Sequence, residues 1–154
     1  MTSHKLTKGR HSQPGAHYVI TTVSTARERL FCNPEMAQAV VEEIRQAGSG
    51  TPFLHHAWVL MPDHLHWLIE LRDIDLSAGV QAFKSRSARA LNLACGRSGQ
   101  VWQPGFYDHR LRNAHDLQLQ ARYIIENPVR TGLAGYAEGY PYLWCRWGHH
   151  GNGP

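Results

Sequence analysis

Two histidines separated by a single residue, His64 and His66, lie in the otherwise apolar stretch VLMPDHLHWLIEL, residues 59–71. In a β-strand, side chains two positions apart project from the same face, with Cα atoms about 7 Å apart. Two imidazoles in this arrangement can bind one metal ion, while Leu65 and Trp67 point to the opposite face. The pattern also fits two structural histidines, because so short a motif occurs by chance.

Two familiar kinds of histidine site do not fit the local pattern. A histidine-triad nucleotide hydrolase would need a third histidine at position 68, where the sequence has Leu68. A zinc finger would need paired cysteines, whereas Cys32, Cys95 and Cys145 are far apart and form no C-x-x-C motif.

A tyrosine and an amide share one side of a helix predicted over residues 114–126. Tyr123 lies well round from the apolar stripe at about 100° per residue, and Gln120 and Asn127 lie near it. An ordinary surface tyrosine and a helix C-cap before Pro128 would give the same pattern. The stripe predicted to pack on the core consists of Leu117, Ala121, Ile124 and Ile125.

The elements that position these residues follow the order β-α-β-β-α-β with one more helix. Strands are predicted over residues 17–24, 53–61, 64–71 and 106–111, and helices over 34–47, 76–94 and 114–126. Asn33 and Pro34 begin the first helix, Gly48 and Gly96 end the first two, and Asn113 caps the third. This order is typical of the α+β, ferredoxin-like split βαβ sandwich, with an antiparallel sheet, helices on one face and the other face free for a ligand.

Composition predicts one domain in a reducing compartment. The 154 residues are 42% hydrophobic, with no apolar run long enough to span a membrane, and the odd cysteine count favours the cytoplasm. The formal net charge is +4 and mostly due to arginine, a residue suited to phosphate recognition. We expect a flexible basic arm over residues 1–16, one domain over 17–147 and a disordered tail over 148–154.

Several motifs in their order along the chain resemble the REP-associated tyrosine transposases, within the single-tyrosine group of HUH nucleases. MPDHLHWL resembles that family's histidine-hydrophobe-histidine strand, VWQPGFYDHRL its W-Q-x-G-[FY]-x-D segment, and YIIENPVRTGL its Y-I-x-x-N-P-V-[RK]-x-G-L helix end. GRHSQPGAHYVITTV and YPYLW also fit. Each motif alone is weak, but together they span nearly the whole chain.

The resemblance implies a role for each residue of the site. His64, His66 and Asn127 match the ligands of a divalent metal, for which we expect Mg²⁺ or Mn²⁺. Tyr123, on the extra C-terminal helix, matches the nucleophile. Asp63 stands where many relatives have asparagine, so its carboxylate either assists the metal or caps the turn.

The implied partner is single-stranded DNA beside a hairpin of a repetitive extragenic palindrome. We expect no membrane contact, and either a monomer or a homodimer. The candidate DNA contacts are the basic residues Lys5, Lys8, Arg10, Lys84, Arg86, Arg89, Arg110, Arg112, Arg122 and Arg130.

Alternatives remain open at this level. Tyr107 is a rival nucleophile, although no amide follows it one turn later. Trp102, Phe106 and Tyr107 could stack on unpaired bases or pack in the core. The whole chain could instead bind hairpins without cutting them, or hydrolyse another phosphodiester.

Overall fold

The computed structural model describes residues 13–48, 53–73 and 75–148, with five strands and four helices. The strands are β1 (His17–Val23), β2 (Phe53–Met61), β3 (His64–Leu71), β4 (Tyr107–Arg110) and β5 (Leu143–Cys145). The helices are α1 (Pro34–Ala47), α2 (Leu76–Cys95), α3 (Leu117–Ile125) and α4 (Asn127–Arg130). Short 3₁₀ turns precede α1 and α3.

The strands form one antiparallel sheet in the order β4-β1-β3-β2-β5. The first four strands have the predicted ferredoxin-like arrangement, with β3 at the centre, and this prediction is confirmed. The fifth strand was not predicted, and it lengthens the sheet beyond β2.

Local sequence explains where the helices begin and end. The Asn33 side chain accepts hydrogen bonds from the backbone N–H groups of Glu35 and Met36, at 2.9 and 3.1 Å, and thereby caps α1. Gly96 ends α2 in the left-handed conformation, with φ of 60°. Both ends agree with the sequence prediction.

One face of the sheet, here called the helix-layer face, packs against α1 and α2. Alternate residues of β3 project from it because side chains alternate along a strand. Their partners are the apolar stripes of the two helices, and the combined core includes Val40, Val41, Ile44, Leu65, Trp67, Ile69, Leu71, Leu76, Val80, Phe83 and Leu91.

The opposite face, here called the site face, carries Thr21, His64, His66 and Leu68. We predicted that this face would be free, and that prediction is wrong in part because α3 packs across it. The small and branched side chains of the α3 stripe need an apolar partner, and the site face supplies one at its centre. This second core contains Ala57, Val59, Met61, Leu68, Leu111, Ala121, Ile124, Ile125, Ala137, Leu143 and Cys145.

Backbone hydrogen bonds to the end of β3 begin just before residue 17, the predicted boundary between arm and domain. The Gly15 N–H donates to the Leu71 carbonyl, and the Leu71 N–H donates to the Ala16 carbonyl. These residues therefore join the sheet, while the rest of the predicted arm and of the tail, residues 1–12 and 149–154, lies outside the described residues. In the described ranges, no helix is both long and apolar enough to cross a membrane.

Candidate active site

His64 and His66 point from the same face of β3, as their spacing predicts. Across the strand pair, Val23 lies opposite His64 and Thr21 opposite His66. The two imidazole rings are in edge contact, with centroids 4.6 Å apart and planes at 77°. Both rings are partly buried, so they are held in place yet remain reachable from solvent.

Each imidazole uses one nitrogen to fix its orientation. His64 Nδ1 lies 2.6 Å from Asp63 Oδ1, and His66 Nδ1 lies 2.9 Å from Thr21 Oγ1. No hydrogen bond within the described part of the chain uses Nε2 of either ring. When Nδ1–H donates to an oxygen, Nε2 keeps a lone pair, which is how metal-binding histidines are usually oriented. The donor set thus fits a divalent metal.

The charges around the pair favour neutral imidazole at His66. Burial, followed by the positive charges of His64 and Arg130, lowers the pKa of His66 to about 4. Burial alone would raise the pKa of Asp63, but the hydrogen bond and charge of His64 and the charge of Arg27 lower it overall. The Arg27 Nε atom lies 3.5 Å from Asp63 Oδ2.

Tyr123 projects from α3 into solvent, with 61% of its surface exposed. The Arg130 guanidinium lies over its ring, 3.7 Å from the centroid, and donates a hydrogen bond of 2.6 Å to the Tyr123 carbonyl. Cation–π contact and hydrogen bond together hold the aromatic ring against the next turn of the chain. The positive charge of Arg130 also contributes to the lowered pKa of His66, after burial and the charge of His64.

Asn127 begins α4, which follows α3 after one residue of helical backbone conformation. Glu126 separates α3 from α4, and Pro128 occupies the first turn of α4, where its missing N–H breaks no helical bond. Helix α3 ends at Ile125, one residue before the predicted end at 126, and the short helix α4 that follows it was not predicted. Asn127 is half-buried, and its carbonyl accepts hydrogen bonds from the Thr131 backbone N–H and Oγ1.

The packing of α3 places Tyr123 on the same side of the sheet as the histidines. Ala121, Ile124 and Ile125 are buried against the site face, as the stripe predicts, while Tyr123 lies outside the stripe and is exposed. Helix α3 therefore covers the sheet face from which His64 and His66 project, and Tyr123 lies on the exposed side of that helix.

The rival Tyr107 also lies on the site face. It pairs with Thr21 on β1, and Thr21 pairs with His66 on β3, so a single ladder row joins them. Tyr107 is 41% exposed and two strands from His66, about 10 Å between Cα atoms. Strand register therefore places Tyr107 in the same row as His66.

Trp102 and Phe106 are buried in the helix-layer core. The Trp102 indole N–H donates to Ser87 Oγ at 2.9 Å, so its polar edge is also occupied. Core packing is the role that the structure gives these two aromatics, and base stacking by them is ruled out.

The candidate DNA contacts fall into three groups. Lys5, Lys8 and Arg10 lie outside the described residues. Lys84 is only 7% exposed, and its ammonium donates to the Gln103 and Gly105 carbonyls at 2.6 and 2.5 Å, so it holds the loop after α2 in place. The remaining six are exposed: Arg86 and Arg89 on α2, Arg110 on β4, Arg112 after it, Arg122 on α3 and Arg130 on α4.

Two features of the site were not predicted. Thr21, the partner of His66, could have been identified only from the register of β1 against β3. A second group of potential ligands, His17, His56 and Glu70, has atoms within 4.8 Å of one another. These three residues are far apart in sequence, and His56 lies at a β-bulge, so no local sequence pattern predicts that they come together.

Comparison with known proteins agrees with this geometry. Residues 12–127 match the family described as "Transposase IS200 like". A REP-associated tyrosine transposase of Escherichia coli K12 is 33% identical over 93 residues, which cover 59% of this chain and 53% of that protein. The chain therefore spans about half the length of that relative. A putative REP-associated tyrosine transposase of Haemophilus influenzae is 29% identical over 143 residues, covering 83% of this chain and 78% of that protein.

Solved structures show the same relationship. The structure of a REP-associated tyrosine transposase bound to a REP hairpin matches with a TM-score of 0.70 and 28% identity, over 87% of this chain and 79% of that one. A putative transposase from Deinococcus radiodurans, at 23% identity, shares the fold with a TM-score of 0.55, over 78% of this chain and 95% of its own. The resemblance to REP-associated tyrosine transposases is confirmed, and the chain belongs to the IS200-like transposase family.

Proposed function

We propose that the protein is a metal-dependent endonuclease and strand transferase that cuts single-stranded DNA beside a REP-like hairpin. Tyr123 would attack the scissile phosphate and form a 5′-phosphotyrosine. The observation that carries this proposal is the histidine pair on the face of the sheet that α3 covers. Nδ1 of each ring is engaged, and Nε2 of neither ring has a hydrogen bond to another described residue. A domain that only binds hairpins has no need of such a pair.

His64, His66 and Asn127 are the residues that would hold the ion. Bound there, Mg²⁺ or Mn²⁺ would polarise a non-bridging oxygen of the scissile phosphate and help to align it with the phenol. Asp63 and Thr21 keep the two rings oriented through their Nδ1 atoms.

The chemistry at Tyr123 is a reversible exchange of phosphoesters. Its Oη forms a bond to phosphorus, its phenolic proton passes to solvent, and the bond from phosphorus to the 3′ oxygen breaks. The released 3′ oxygen takes a proton from solvent and becomes a 3′-OH. A second 3′-OH can then attack the phosphotyrosine and release the phenol, so strands are joined without ATP. Arg130, stacked on the Tyr123 ring, limits the rotamers of the nucleophile and supplies positive charge beside the DNA.

The proposed substrate rests on two supports. The neighbour of known structure is bound to a REP hairpin. The exposed arginines of α3 and α4 lie beside the proposed nucleophile, where they can contact phosphates.

The proposal is tested by trapping the covalent adduct. A hairpin oligonucleotide with a single-stranded flank, labelled on the strand that keeps the 5′ phosphate, is incubated with Mn²⁺ or EDTA and run on a denaturing gel. We expect a protein–DNA adduct with metal and none with EDTA. Tyr123→Phe should abolish the adduct, and Tyr107→Phe is the matched control that should retain it.

Two outcomes would contradict the proposal. An adduct that survives in Tyr123→Phe and disappears in Tyr107→Phe would assign the nucleophile to β4. A hairpin that is bound tightly but never cut, with either metal, would identify a binding protein without nuclease activity.

A further inference from the structure

A second cluster of ligand-type side chains lies at the other end of β3 from the histidine pair. His17 Nε2 is 3.5 Å from Glu70 Oε1, and the rings of His17 and His56 have centroids 5.2 Å apart. One ligand atom from each of the three residues lies within 4.8 Å of the other two. A single ion could contact all three after small side-chain movements.

The fold brings these residues together by two separate devices. His17 and Glu70 are directly opposite each other in the β1–β3 ladder, so both point from the site face. On β2 the register shifts between His55 and Ala57, which is a β-bulge. Bulges redirect side chains, and this one places His56 against His17 although the next residue, Ala57, also faces that side.

His56 carries a polar atom with nothing to bind. Its side chain is 2% exposed, and Nε2 has no hydrogen-bond partner among the described residues. Buried polar groups are nearly always paired, so the unpaired Nε2 beside a second histidine and a carboxylate is unusual. Because Arg146 donates to Nδ1, Nε2 carries the ring proton here, and it becomes a metal ligand once Arg146 releases Nδ1 and the proton moves to that nitrogen.

We infer that His17, His56 and Glu70 form a second metal site, which binds Zn²⁺ or a similar transition-metal ion. Two imidazoles and one carboxylate suit zinc, whereas Mg²⁺ prefers all-oxygen sites. The His17 and Glu70 side chains are 21% and 22% exposed, which leaves a path for the ion and a coordination position for water. Glu70 is four residues from His66, about 13 Å along the strand, so one ion cannot serve both sites.

Two arginines oppose an ion at this position. Arg72 Nε lies 3.6 Å from Glu70 Oε2, and Arg146 lies 2.9 Å from His56 Nδ1. A neutral imidazole that binds zinc through Nε2 carries its proton on Nδ1, so Arg146 must release that nitrogen. Arg146 is exposed and also lies over Trp147, 5.3 Å from that ring, so it has room to move. Arg146 therefore competes with the ion.

The test measures zinc binding where the proposed catalytic ligands are absent. The full chain with His64→Ala and His66→Ala is stripped with EDTA, dialysed, and titrated with ZnCl₂ by calorimetry. We expect one zinc ion per chain and a melting temperature about 5–10 °C higher at a hundredfold excess of zinc over Kd. Adding His17→Gln or Glu70→Gln should weaken binding by more than roughly 100-fold, beyond the effect of losing an outer-shell partner.

Controls separate this site from other histidines and from misfolding. His149→Asn with His150→Asn removes two adjacent tail histidines and should leave zinc binding unchanged. Circular dichroism must show that the His17 and Glu70 variants are folded. Arg146→Gln should tighten zinc binding, because the amide oxygen can accept the Nδ1 proton.

Two results would overturn the inference, and a third would overturn the competition between Arg146 and the ion. The first is no zinc bound by the chain that lacks His64 and His66. The second is zinc binding unaffected by His17→Gln and Glu70→Gln in folded protein. The third is weaker binding in Arg146→Gln, which would mean that the arginine supports the cluster instead of competing with the ion.

Discussion

Thr21 and Thr22 are neighbours on β1 whose hydroxyl groups have opposite surroundings. Thr21 points from the site face, and its Oγ1 lies 2.9 Å from His66 Nδ1. Thr22 points from the helix-layer face, where its buried hydroxyl has no hydrogen-bond partner among the described residues. The two residues therefore form a matched pair for separating the chemistry of the site from the stability of the strand.

Thr21→Val should weaken metal-dependent adduct formation by roughly 10- to 100-fold, because the His66 ring loses the partner that orients it. The measurement is the Mn²⁺ concentration that gives half the maximal rate of adduct formation. Thr22→Val should leave this value unchanged, and it should not destabilise the protein, because it removes a buried unpaired hydroxyl. Equal effects of the two variants would mean that Thr21 acts only through the strand.

Lys84 gives a pH dependence of stability. Burial lowers the pKa of Lys84 to about 8, below its ordinary value of 10.5. Between these values the unfolded chain holds more protons than the folded one, so this contribution to stability rises with pH. From pH 7.5 to pH 10, we expect the wild type to gain about 2 kcal/mol relative to Lys84→Met in urea unfolding. A relative loss over that range would show that the two carbonyls bound by Lys84 favour its charged form more strongly than burial disfavours it.

At the level of elements, α3 depends on a narrow apolar stripe for its position. Ile125 is fully buried in the second core, whereas Leu119 on the same helix is 67% exposed. The stripe therefore attaches α3, which carries the proposed nucleophile, to the sheet, whereas Leu119 lies outside this attachment.

Ile125→Ala should lower the free energy of unfolding by about 2–5 kcal/mol, because it leaves a cavity under α3. Adduct formation should fall as well, since Tyr123 lies two residues away on the same helix. Leu119→Ala, the matched control, should change stability by no more than about 0.5 kcal/mol. Urea unfolding and the gel assay measure the two effects. Full stability in Ile125→Ala would show that α3 is held by other contacts.

Most element positions could be predicted from sequence because they have local signals. Asn33-Pro34 and Gly96 mark helix ends, and the alternation in β3 assigns His64 and His66 to one face. β5 could not be predicted, since a three-residue strand has no measurable periodicity and forms only by pairing with β2. The packing of α3 on the site face also depends on tertiary contacts that no local sequence pattern shows.

The candidate site was predictable to a similar extent and for the same reason. His64, His66, Tyr123 and Asn127 lie in motifs, and their roles remain predictions for the adduct assay. Their supports, such as the Thr21 hydroxyl, depend on strand register. The orientation of the His56 side chain depends on a β-bulge that the local sequence does not predict.

At the level of the whole molecule, the sheet separates two basic surfaces. Arg122 and Arg130 lie on the helices beside the proposed nucleophile, whereas Arg86 and Arg89 lie on α2, in the layer that packs on the opposite face. A strand that reaches Tyr123 must pass the first pair but need not touch the second. We therefore expect the two pairs to contribute unequally to DNA binding.

Salt dependence distinguishes the two surfaces. In a Tyr123→Phe background, log Kd for a hairpin oligonucleotide is measured between 50 and 200 mM salt. Each lost phosphate contact should lower the slope by about 0.7 for single-stranded DNA. Arg122→Ala with Arg130→Ala should lower the slope, and Arg86→Ala with Arg89→Ala should leave it unchanged. A lower slope in the second variant would place DNA around the helix layer.

The alternation of β3 also limits how this protein can change in length. His64, His66 and Glu70 are at alternate positions of β3 and so point from the same face of the sheet. Their partners Thr21 and His17 point from that face too, because they are at the matching alternate positions of β1. A single residue inserted within either strand would turn part of this set toward the interior, so a tolerated insertion there would have to add two residues at once or be absorbed by a new bulge. We therefore expect insertions and deletions in the connections between strands, while the number of residues in β1 and β3 stays constant.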